Sequence, residues 1–106
     1  LLRPLGVPVI CVPGNHDAYM SETVPGIVLH WRPWFLGDGV SETDGGYAFP
    51  FPRVRGSVAL VGVNSGVPTA PFLATGFLGS RQIAALADEL EALGRRGLAR
   101  VVLIHH

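Results

Sequence analysis

Three short apolar runs constrain this chain most: Val7–Val12, Ser57–Val63 and Val101–Ile104. Each is rich in β-branched residues, too short for a typical helix, and followed by turn-forming or polar positions. Each therefore reads as a strand buried on both faces. Such strands belong in α/β layers, where helices cover a largely parallel sheet. The clearest helical pattern lies between the second and third runs. It begins at Ser80, a good N-cap residue, and places Ile83, Leu86, Ala87, Leu90 and Leu93 along one face. Gly94 is expected to end it, with Arg95 and Arg96 well placed for the negative end of the helix dipole. Strand, loop, helix and strand then form a right-handed crossover unit.

The remaining chain is less regular. Ala18–Thr23 suits one or two helical turns, and Gly26–Leu36 stays open between a short helix and a loop. Residues 37–46 are turn material. Tyr47–Val54 is an edge strand at best, because Pro50 and Pro52 cannot donate to a ladder. Residues 64–79 read as a loop whose length suggests a functional or capping role. Trp31, Trp34 and Phe35 are expected in the core, with a cap over a bound ligand as the alternative, and His30 in packing or on the surface. Asn64 and Ser65 are expected to form a turn, with contacts around a site as the alternative.

Composition narrows the function classes. Only 15% of the 106 residues are charged, against 48% hydrophobic; an average soluble domain is roughly 25% charged. The chain reads as one domain, or part of one, with largely covered surfaces. Eight arginines balance eight acids, so neither a basic footprint for nucleic acid nor a polybasic segment for anionic lipid is present. The longest uncharged stretch, Gly56–Ser80, is about half Gly, Pro, Ser, Thr and Asn and does not read as a membrane span. The single cysteine, Cys11, reads as a small buried hydrophobe. Without a disulfide pair in the chain, a reducing cytoplasmic setting is the expectation.

The first run leads directly into Gly14-Asn15-His16-Asp17, and the last into His105-His106. Gly14 permits a sharp bend and a close approach to a ligand. Asn15 offers a neutral amide oxygen, a hard donor for a divalent ion. His16 can ligate a metal or exchange a proton near neutral pH. Asp17 can hold that imidazole in one tautomer. His105 adds a second imidazole. In open α/β sheets the carboxyl ends of strands are where ligands bind, so two such ends can gather distant residues.

"GNHD" after one strand and "HH" after another resemble the calcineurin-like metallophosphoesterase superfamily, most closely its small bacterial branch with cyclic-nucleotide phosphodiesterases. The resemblance spans most of the chain, although its sharp motifs occupy six residues. It implies an αββα sandwich of two sheets flanked by helices, with a dinuclear metal centre at the strand ends. It makes Asn15 and His105 ligands of one metal, and His106 the second choice. It makes His16 a catalytic group that stabilises the scissile phosphate or protonates the leaving oxygen, and Asp17 its support. The ions would be two divalent metals (Mn, Fe, Zn or Mg), and a hydroxide bridging them would attack phosphorus in line.

The family pattern also includes an upstream Asp-x-His, an upstream Gly-Asp and a downstream Gly-His-x-His, none of which occurs here. Gly37-Asp38 follows the Asn-His-Asp motif and cannot take the upstream role. Residues 1–106 are therefore expected to be the partial, central portion of one metallophosphoesterase domain, inactive alone. The expected function is metal-dependent hydrolysis of a small phosphoester, with a phosphodiester such as a cyclic nucleotide foremost. The alternative is a catalytically inactive protein of the same fold that binds a nucleotide or a protein partner.

Overall fold

The computed structural model describes residues 6–14, 32–40, 49–66 and 75–105. Their regular structure comprises a short 3-10 turn at Arg32–Trp34, strands β1 (Phe51–Arg55), β2 (Val58–Gly62) and β3 (Ala99–Leu103), and helix α1 (Ser80–Arg95). The strands form one mixed sheet in the order β1-β2-β3.

β1 and β2 are an antiparallel hairpin that pairs Phe51 with Gly62 and Arg55 with Val58. Its two-residue turn is Gly56-Ser57. Gly56 has φ +60°, the sign required at the first position of a type II′ turn. Pro52 is tolerated because β1 is an edge strand, as the sequence leads one to expect. β2 and β3 run parallel, from Val58↔Ala99 to Gly62↔Leu103, with α1 in the connection between them. The expected β-α-β unit is thus present, in an α/β arrangement of one sheet and one helix among the described residues.

Period-two alternation gives the sheet two distinct faces. Ala59 and Val61 are fully buried with Leu93 of α1, and Val54, Leu86, Leu90 and Leu98 pack against them. Ile83 and Ala87 share the helical spacing, but Ile83 is 52% exposed, so the buried stripe is narrower than the apolar pattern suggests. On the opposite face Phe51 lies across Gly62, and a Cβ on Gly62 would run into the Phe51 ring. Phe49 meets both Phe51 and Phe35 at ring separations of 5.5 and 5.7 Å. Phe35 is 1% exposed, which places this part of the expected aromatic cluster in the core. Gly62→Ala is expected to lower stability by about 1–3 kcal/mol, the usual cost of overpacking. Urea unfolding checks this; an unchanged midpoint would show that the Phe51 ring moves aside freely.

The helix begins at Ser80 as the sequence reading has it, but its cap and its C-terminal end differ. Gly79, not Ser80, is the N-cap residue, and no side chain caps it. Gly94 does not end the helix, which continues through Arg95. The stop lies at Gly97, with φ +74°, where Gly97 N–H donates to Gly94 O and Leu98 N–H to Leu93 O. This is a Schellman motif, and Leu98 supplies its apolar contact with the core. Gly94 serves a different need: a Cβ there would meet the Arg100 guanidinium, which reaches Leu90 O at 3.0 Å.

The expectation for Val7–Val12 is corrected. Residues 6–14 contain no strand, and Val7 is 61% exposed. Their backbone has other partners: Cys11 N–H donates to Trp34 O, and Val9 O accepts from Arg53. The neighbouring edge of β1 is already engaged. Asp38 N–H donates to Pro52 O, and the Asp38 carboxylate accepts from Val54 N–H at 2.6 Å and from Arg55. An apolar run signals burial but does not name the edge with which it pairs. Gly37-Asp38 thus closes the sheet edge. Burial alone would raise the Asp38 carboxyl pKa, but the Val54 N–H and the Arg55 and Arg53 charges outweigh it and hold it below the usual range.

Candidate functional site

β2 and β3 are parallel, so their carboxyl ends lie at the same edge of the sheet. The pairing continues past β2 through Val63 N–H to Leu103 O. Beyond it the chain is held by side-chain bonds. Asn64 and Gln82 of α1 form a reciprocal pair: Asn64 N–H donates to Gln82 Oε1 at 2.9 Å, and Gln82 Nε2 donates to Asn64 O at 2.8 Å. Asn64 Oδ1 also accepts from Gly66 N–H, an Asx turn that agrees with the turn expected from the sequence.

Ser65 comes next and is 4% exposed. Its hydroxyl donates to the His105 carbonyl at 2.6 Å, and its own carbonyl accepts from Phe77 N–H at 3.0 Å. Ser65, Gly76, Phe77, Leu78 and Ile104 line an open cavity of about 230 Å³. His105 itself is exposed, and no described residue hydrogen-bonds its imidazole. The last strand therefore presents an imidazole where the sequence reading places one, on a backbone fixed from β2.

Of the other expected site residues, Asn15, His16, Asp17 and His106 lie outside the described residues, as do Ala18–Thr23, His30 and Trp31. Gly14, which leads into the motif, is buried. Among the described residues no three His, Cys, Asp or Glu side chains lie together as a metal-binding group. The donor that is described fits a borderline divalent ion, since it is an accessible imidazole on an anchored strand end. Cys11 is half-buried rather than fully buried, and burial raises its thiol pKa while the Arg53 charge opposes that shift.

Sequence reasoning missed Gln82 and gave Ser65 only as an alternative to a plain turn. Gln82 gave no local signal, because it bonds a residue 18 positions away rather than its own helix end. Ser65 gave a weak one, a hydroxyl directly after a buried strand. Among the described residues no helix is long and apolar enough to cross a membrane. No protein-family model, no characterised protein and no solved structure matches the chain.

Proposed function

We propose that the chain carries part of a metal-dependent phosphoesterase that hydrolyses a small phosphodiester. The observation that carries this reading is β3, the second strand of a parallel β-α-β unit, ending at the sheet's carboxyl edge in the exposed His105. Gly14-Asn15-His16-Asp17 supplies the complementary chemistry. The finer architecture, a two-sheet sandwich, belongs to the same proposal.

In this reading Asn15 and His105 hold one of two divalent ions. Bound there, the ions supply charge stabilisation for the phosphoryl oxygens and activate water. Asn15 offers its amide oxygen and His105 a ring nitrogen. His16 faces the phosphate and holds or delivers a proton at the leaving oxygen. Asp17 orients the His16 ring. The remaining ligands come from residues outside those described.

The test is hydrolysis of bis(p-nitrophenyl) phosphate by the full-length protein with manganese, beside Asn15→Ala and His105→Ala. Turnover should require the metal. It should fall by roughly 100-fold or more in either variant, beyond the ~10- to 100-fold typical of losing an outer-shell partner. A folded wild type with no turnover in manganese, iron, zinc or magnesium would overturn the assignment and favour the inactive binding protein.

A further inference from the structure

We propose that Ser65 is the positioning residue for His105, an inference that rests on the phosphoesterase reading for its function but on the structure for its geometry. Backbone pairing between β2 and β3 reaches Val63 N–H and Leu103 O and is replaced beyond them by side-chain bonds. His105 lies past the last ladder residue, on an exposed strand end that, among the described residues, no backbone bond holds. The Ser65 hydroxyl holds it by donating to the His105 carbonyl at 2.6 Å from a 4% exposed site. A buried hydroxyl whose partner is lost costs more than an exposed one, so the bond has a strong local preference to persist.

Ser65 is itself held from two sides. The preceding residue, Asn64, is locked to Gln82 of α1, and the Ser65 carbonyl takes the Phe77 N–H ahead of that helix. The hydroxyl thus transmits the rigid β2–α1 corner to the point where the imidazole leaves the sheet. Ser65 does not touch substrate or metal in this account. It narrows the positions the His105 ring samples, which is how a supporting partner raises the affinity of a ligand.

The experiment uses full-length protein carrying Ser65→Ala, Ser65→Cys or Ser65→Thr, each first shown to be folded by circular dichroism. Cysteine preserves most of the volume with a far weaker donor, and threonine keeps the hydroxyl. The first readout needs no metal: the His105 ring-proton resonances, assigned with His105→Gln. They should shift toward the values of an unstructured histidine in the alanine and cysteine variants and return in the threonine variant. The second is zinc titration, where affinity should fall ~10- to 100-fold in the first two and recover to within about threefold in the third. Unchanged ring resonances in Ser65→Ala would overturn the positioning role. A wild type that binds no zinc would overturn the phosphoesterase reading instead, while the ring resonances still decide the role of Ser65.

Discussion

His16→Ala is expected to lower kcat by ~100- to 10,000-fold for a dialkyl phosphodiester, the range that proton transfer by a positioned side chain contributes. The loss should be much smaller with bis(p-nitrophenyl) phosphate. Nitrophenolate departs as a stable anion, whereas an alkoxide needs a proton as the phosphorus–oxygen bond breaks. The ratio of the two losses therefore separates the two roles assigned to His16. A large ratio identifies a proton donor. Equal losses identify a group that stabilises charge on the phosphate. No loss with either substrate would remove His16 from the chemistry altogether. Zinc affinity, measured beside kcat, should stay within about threefold, since Asn15 and His105 are the ligands in this reading and His16 is not.

The parts of this fold that were legible in the sequence share a physical reason. α1 carries a 3.6-residue apolar period, and β2 and β3 are short β-branched runs whose length and flanking turn residues mark them as strands, although Val101 and Val102 of β3 are exposed rather than buried on both faces. The Leu86, Leu90 and Leu93 spacing meets the buried Ala59 and Val61 directly. Val7–Val12 carries the same apolar signal, but its backbone bonds a 3-10 turn and a guanidinium, neither of which periodicity describes. The start at Ser80 was legible, whereas the cap residue and the C-terminal stop were not, because caps depend on backbone dihedrals. Gly94 and Gly97 are the same residue type, and only the second has a positive φ. The strand-end histidine was legible for the reason the strand was. The bonds that fix it were not, since Ser65 reaches across 40 positions and Gln82 across 18, with no intervening pattern.

Arg53 offers the largest stability effect expected of a single side chain here. Its Nε donates to Leu36 O at 2.7 Å, Nη1 to Val9 O at 2.6 Å and Nη2 to Pro33 O at 3.0 Å. The planar guanidinium thus binds three carbonyls from two chain segments to the face of β1, with the Phe51 ring 5.9 Å from its carbon. Among the described residues those segments form no strand, and only Gly37-Asp38 bonds the edge of β1 directly. Arg53→Met keeps much of the apolar stem and removes all three donors. Each bond to a charged group is worth ~1.5–3 kcal/mol, but the site is half-buried and water can reach part of it. The expected loss is therefore about 3 kcal/mol rather than the full sum. That corresponds to a Tm lowered by roughly 10–20 °C for a domain of this size. Arg53→Lys should recover less than half, because an ammonium presents its donors from one point and cannot span three carbonyls. Thermal and urea unfolding check both variants, and a loss below about 0.5 kcal/mol in Arg53→Met would mean that the carbonyls are as well satisfied by water. Val9 lies just upstream of Gly14-Asn15, so loosening it also loosens the backbone that delivers the motif. Zinc affinity should then fall in Arg53→Met while the His105 ring resonances stay in place, since β3 is anchored separately through Ser65.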